Sequence, residues 1–168
     1  FDTGLAEGDM TAVFWFVGAA AAEVEVDTET GVVRVRKLVN ANDVGKAINP
    51  LRCREQIGGA AMMALGQTFY ESLDFDKGQP INPNFADYVM PSFAEIPEVM
   101  ENLIVETPHR DGPFGAKGIG ETSIIPPSPA IGNAVYNAVG VRIHDLPITP
   151  EKILRALREK ETGENGKA

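Results

Sequence analysis

Apolar and polar residues alternate most clearly at Ala22-Glu23-Val24-Glu25-Val26, and this predicts a long strand from Val13 to Val26. Residues 1–11 read as loop. Asp27-Thr28-Glu29-Thr30-Gly31 follows as a hairpin connection, with Gly31 placed for a left-handed turn. Val32 to Val39 is the returning strand, its Arg and Lys residues facing water. Asn40 to Gly45 is rich in turn residues. Asn49-Pro50 then opens a helix, because proline suits the first helical position. Within it Ile57, Ala60, Ala61, Ala64, Leu65 and Phe69 recur every three or four residues and form one apolar face, running to about Leu73.

Asp74 to Pro97 carries four prolines and little periodicity. A loop that long in a compact domain is usually functional or wraps a partner. Leu103 to Glu106 is a short strand, and Pro108 to Thr122 is glycine-rich and irregular. Ser128-Pro129 predicts a helix capped by Ser128, with Ile131, Ala134, Val135 and Ala138 on one face and an end near Gly140. Thr149-Pro150-Glu151 starts a last helix, with Ile153, Leu154 and Leu157 inward. The order strand, strand, helix, strand, helix, helix predicts an α+β domain: a small, mainly antiparallel sheet with helices packed on one side. Residues 1–159 form that domain, and 160–168 form a polar, frayed tail.

Composition narrows the function classes. The chain has 168 residues, 43% apolar and 23% charged, as ordinary globular domains do. Its formal net charge of −9 argues against nucleic acid and anionic membranes, which attract basic patches. The most apolar run, Ala12 to Ala22, falls short of the roughly 20 residues that span a bilayer. One cysteine, Cys53, rules out an internal disulfide and an iron–sulfur cluster held by this chain alone. His109 and His144 stand apart, with no partner at zinc-ligand spacing. The first residue is Phe1, not Met, and the chain opens inside what reads as a structured segment, so a fragment, a processed product or an expressed domain is expected.

Three segments carry candidate chemistry. In Gly112-Pro113-Phe114-Gly115-Ala116-Lys117-Gly118-Ile119-Gly120-Glu121, four glycines allow unusual backbone angles and close approach to a ligand, and bare N–H groups in such a loop make an anion-binding concavity. One reading is a cradle for a phosphorylated cofactor with an acid beside it. The other is a tight loop whose Glu faces water. The segment is neither a Walker loop nor a dinucleotide fingerprint, since neither spacing nor context fits. Next, Gln56-Ile57-Gly58-Gly59 places two glycines inside a helix, at a cost of roughly 1 kcal/mol each against alanine. Either a ligand or a packed neighbour comes close to that backbone, and Gln56 brings both an amide donor and a carbonyl acceptor. Lastly, Asp43-Val44-Gly45 with Ile48-Asn49-Pro50 is, alone, only a turn before a helix.

Taken together, Asp43-Val44-Gly45 to Asn49-Pro50, Gln56-Ile57-Gly58-Gly59, Ala64-Leu65-Gly66-Gln67 with Glu71, Gly115 to Glu121 and Thr149-Pro150-Glu151-Lys152-Ile153-Leu154 closely resemble the C-terminal part of the molybdopterin-binding subunit of the xanthine dehydrogenase and aldehyde oxidase family, which includes aerobic-type carbon monoxide dehydrogenases. The resemblance covers about Gly18 to Leu157. It implies a molybdenum–pterin cofactor, as molybdopterin or its cytosine dinucleotide, with Glu121 as general base. It places Gln56, Gly58, Gly59, Ala116, Lys117, Gly118, Ile119 and Gly120 against the cofactor. The metal would be held through the pterin and not by side chains of this chain. The implied enzyme oxidises an aldehyde, purine or N-heterocycle with water-derived oxygen. Its implied partners are the remainder of the subunit, iron–sulfur and flavin subunits or domains, and a second copy of the full complex, in the cytoplasm. Alone, the chain is expected to fold but to be inactive. The competing expectation is a non-catalytic scaffold of the same fold that docks a partner subunit.

Overall fold

The computed structural model describes residues 15–163. The loop expected over 1–11 and the expected strand start at Val13 lie outside them. Strands β1 (Gly18–Val26) and β2 (Val33–Asp43) form the predicted hairpin, antiparallel from Gly18↔Asn42 to Val26↔Val33. Asp27 Oδ1 accepts from the amides of Glu29 (2.8 Å) and Thr30 (3.2 Å), and Gly31 turns the chain at φ 76°. Helix α1 (Pro50–Phe69) starts where expected: Asn49 accepts from Arg52 N–H at 3.1 Å and Pro50 fills the first turn. A two-residue hairpin, β3 (Phe75–Asp76) and β4 (Gln79–Pro80), interrupts the proline-rich loop. Strand β5 (Val99–Val105) and helices α2 (Pro127–Val139) and α3 (Pro150–Thr162) complete the chain.

The fold class is α+β. The sheet is mixed, in the order β1-β2-β5: β5 lies parallel to β2, from Lys37↔Val99 to Asp43↔Val105. Alternation reveals a strand's faces but not its direction. The parallel return is reached through α1 and the long loop, as parallel neighbours require. Helices α1 and α2 cover one face of the sheet. The core there contains Leu38, Ile57, Ala61, Ala64, Leu65, Ile131, Val135 and Ile153, each at most 2% exposed. Fully burying a Leu, Ile or Val side chain contributes roughly 1.5–3 kcal/mol. On the other face Val17, Val99, Leu103 and Val105 are exposed.

Four local expectations change. First, Asn40 to Asp43 continue β2 instead of turning; Asn40 and Asn42 point into the buried face, where they find hydrogen-bond partners. Second, α1 ends at Phe69, where Tyr70 and Glu71 N–H both close on Gly66 O. Third, Ser128 does not cap α2. That helix begins at Pro127, and the Ser128 hydroxyl donates inward to Ala64 O (3.3 Å) and meets Thr68 Oγ1 (2.9 Å). Ala138 is exposed and adds nothing to the buried face of α2. Fourth, α3 passes Lys160, where the tail was expected, and ends at Thr162 with Gly163 at φ 76°. Lys160 Nζ holds it to Val139 O at 2.9 Å, across to the end of α2.

Candidate functional site

The glycine loop docks on the end of β2. Gly45 forms an antiparallel bridge with Ala116; Lys46 N–H donates to Gly115 O (2.8 Å) and Lys117 N–H to Val44 O (2.9 Å). His109 N–H also donates to Gly115 O (3.0 Å). Gly45 sits at φ 66°, and a Cβ there would collide with the Gly115 carbonyl. The Asp43-Val44-Gly45 segment, on its sequence only a turn, is therefore the dock for the loop.

A buried ion pair locks that dock. Lys117 Nζ donates to Asp43 Oδ2 at 2.7 Å, with both side chains only 9% exposed. Asp43 Oδ1 accepts from the amides of Gly45 (2.9 Å) and Thr107 (3.0 Å). Burial opposes the charge on Asp43. The Lys117 ammonium and the two amides outweigh it, so the carboxyl pKa lies below its ordinary value. The positive charge of Lys117 is thus neutralised inside the chain.

Beyond the dock, part of the loop's main chain has no partner among the described residues. Gly115 and Ala116 amides close short turns on Gly112 O (2.8 Å) and Pro113 O (2.9 Å), and Lys117 N–H is used by Val44. The amides of Gly118, Ile119, Gly120 and Glu121 donate to nothing among the described residues. Of the four glycines from 112 to 120, Gly115 alone takes a positive φ (82°), and Gly112 leaves room for the Ala116 carbonyl by lacking a side chain.

Helix α1 meets this free stretch through Gln56, whose Nε2 donates to Gly120 O at 2.9 Å. Its carbonyl oxygen accepts nothing among the described residues. Gln56, Gly59 and Met63 form an exposed stripe on α1 at helical spacing. A Cβ at Gly59 or at Gly120 would meet no atom within 4 Å, so both open onto free space. Gly58 is different: its missing side chain makes room for Asn102, whose Nδ2 would lie 2.8 Å from a Cβ. The two glycines divide the two roles open from sequence, close packing at Gly58 and an open backbone at Gly59. Glu121 is exposed and precedes a 3-10 turn, Thr122–Ile124, whose first hydrogen bond runs from Ile124 N–H to the Glu121 carbonyl (3.0 Å). Gln56, Gly59, Gly120 and Glu121 are thus all solvent-facing at one meeting of helix and loop. Among the described residues no group of three or more His, Cys, Asp or Glu stands where it would hold a metal ion. No helix there is long and apolar enough to cross a membrane.

The chain that carries this loop and helix has known relatives. A model of the molybdopterin cofactor-binding domain matches residues 1–97, and the chain belongs to that family. It is 40% identical over 139 residues to the gamma subunit of the 6-hydroxypseudooxynicotine dehydrogenase complex of Paenarthrobacter nicotinovorans, covering 81% of this chain and 18% of that protein. It is 39% identical over 137 residues to the aldehyde oxidoreductase molybdenum-binding subunit PaoC of Escherichia coli K12, covering 80% and 19%. Its fold matches the aldehyde oxidoreductase from Desulfovibrio gigas with a TM-score of 0.76 and 35% identity, over 85% of this chain and 15% of that one. The chain therefore spans less than a fifth of each of these proteins.

The open face suits such a cofactor. Main-chain donors without a partner among the described residues can bind pterin or phosphate oxygens, and the two open glycines leave room for a flat ring system beside the backbone.

Proposed function

We propose that this chain is the part of a molybdenum–pterin oxidoreductase that supports one side of the cofactor and supplies the carboxylate that accepts the reaction's proton, Glu121. The observation that carries this reading is the 2.9 Å bond from Gln56 to the Gly120 carbonyl. It draws the open stripe of α1 onto the unspent amides of Gly118 to Glu121, with an acid at their end. When bound, the cofactor supplies the two-electron redox chemistry.

The chain's own residues position and hold protons. The amides of Gly118, Ile119 and Gly120 donate to anionic oxygens. Gln56 offers its free carbonyl oxygen while its amide holds the loop. Gly59 and Gly120 admit the cofactor's edge. Gly58, Ala116 and Lys117 act through the framework: Gly58 seats α1 on β5, and Ala116 and Lys117 fasten the loop to β2. The Glu121 carboxylate takes a proton at its oxygen. The shelter from water that general-base work requires comes from polypeptide beyond this chain, consistent with relatives of which this chain covers under a fifth. The substrates proposed are an aldehyde, a purine or an N-heterocycle. The partners proposed are the remainder of the subunit with iron–sulfur and flavin subunits or domains.

A second reading has one observation in its favour. The uncovered sheet face, with Trp15 88% exposed beside Val17 and Val105, suits a docking scaffold without metal chemistry. One experiment separates the two. In the complete subunit, Glu121→Gln retains molybdenum by elemental analysis and loses turnover by at least about 10²-fold. Full turnover with full molybdenum removes the role assigned to Glu121. A subunit that never acquires molybdenum favours the scaffold.

A further inference from the structure

The buried face of the sheet carries three carboxamides where apolar side chains are the norm. Asn40 and Asn102 lie opposite each other in register on β2 and β5, and Asn42 is two residues along on the same face. Asn40 and Asn42 are at most 1% exposed. Burying such groups is costly unless they are hydrogen-bonded, so their placement needs a cause. Two glycines give them room. A Cβ at Gly18 would lie 2.8 Å from Asn42 Oδ1, and one at Gly58 2.8 Å from Asn102 Nδ2.

The hydrogen bonds run in one direction. Asn42 Nδ2 donates to Asn40 Oδ1 (2.9 Å), and Asn40 Nδ2 donates to the Ser123 carbonyl (2.9 Å). Ser123 is fully buried in the 3-10 turn that follows Glu121. The same turn is closed by Ile124 N–H on the Glu121 carbonyl. The relay therefore ends on the element that carries Glu121, 83 residues away in sequence from Asn40. Four buried oxygens around it have no partner among the described residues: Asn42 Oδ1, Asn102 Oδ1, Thr122 Oγ1 and Ser123 Oγ. Two are carboxamide acceptors on the sheet. Two are hydroxyls on the turn, each able to donate and accept.

We propose that Asn40, seconded by Asn42 and Asn102, is the positioning device for Glu121, clamping its turn to the sheet so that the carboxylate keeps one place. This rests on the reading of Glu121 given above. Asn40 touches no reacting group; it acts through the Ser123 carbonyl. Nothing else ties the Thr122–Ile124 turn to a strand by a side-chain hydrogen bond among the described residues.

The test uses the complete subunit with its cofactor, and Asn40→Leu, which keeps the branched shape and removes the donor. Hydrogen exchange is followed at the amides of residues 123–125, with those of α3 as the control, beside molybdenum content, kcat, KM and the pH profile. We expect exchange at 123–125 to rise about tenfold or more while α3 is unchanged. We expect molybdenum to be retained, kcat to fall about tenfold or more with KM little changed, and the limb of the pH profile that depends on Glu121 to move. Asn40→Gln, which can still reach a carbonyl, recovers part of both effects. Unchanged exchange at 123–125 overturns the clamp. Loosened exchange with unchanged kcat and pH profile overturns the positioning role. If Asn40→Leu does not accumulate, Asn42→Ala breaks the relay one step back and is held to the same two outcomes. Full turnover in Glu121→Gln would remove the underlying reading and with it the positioning role, while the exchange result still tests the clamp by itself.

Discussion

Replacing Lys117 by Met removes the cation from a buried pair while keeping most of the side-chain volume. In the native chain Asp43 and Lys117 meet at 2.7 Å and are 9% exposed. Asp43 keeps two amide donors, from Gly45 and Thr107, after the change. Breaking a buried pair from one side costs roughly 3–5 kcal/mol, and the surviving amides put this case near about 3 kcal/mol at neutral pH. For a chain of this size that lowers Tm by about 6–12 °C. The pH dependence gives a second check. In the native chain the Asp43 pKa is depressed, so its contribution is present above the unfolded value of about 3.9 and is lost as pH falls through the folded one. In Lys117→Met burial is no longer outweighed and the folded pKa rises. Protonation then relieves the lone charge, and the gap between variant and native narrows as pH falls. Urea unfolding of the chain at about pH 7 and about pH 4 reads both effects. A cost under about 1 kcal/mol at neutral pH, or a gap that widens with acid, refutes the reasoning.

Gly45→Ala meets the Gly115 carbonyl at a positive φ, so we expect it to lower stability by about 1–3 kcal/mol in thermal unfolding; a neutral result would mean that the loop does not dock as described. Gly59→Ala has the opposite signature. It meets nothing within 4 Å and should stabilise α1 by up to about 1 kcal/mol, yet in the complete subunit it should lower molybdenum and pterin content. Undiminished cofactor would show that this helix face is not against it.

The hairpin and helices were legible because their apolar spacing is regular. The hairpin turn at Gly31 and the starts of α1 and α3 carry local chemistry that reads directly. What failed to read was long-range. Asn40 to Asp43 look like a turn because asparagine favours turns, and only a carbonyl 83 residues on makes them a buried strand. Ser128 looks like a cap, but its hydroxyl is turned to Ala64 and Thr68 on another helix. The glycine loop and Gln56 were visible as unusual chemistry. The bond between them was not, since it joins positions 64 residues apart. Asp43 was missed as a functional support. The signal available was one acid in a turn and one lysine among glycines, and nothing in their spacing says that they pair.

The most direct test of the central claim is the position of the metal. Diffraction from the complete subunit at the molybdenum absorption edge locates that atom without reference to any assumed chemistry. The account predicts the peak on the open face between α1 and the Gly118–Glu121 stretch, with the Glu121 carboxylate within hydrogen-bond reach of a ligand on the metal. A peak over the uncovered sheet face, or one with Glu121 turned away from it, contradicts the account.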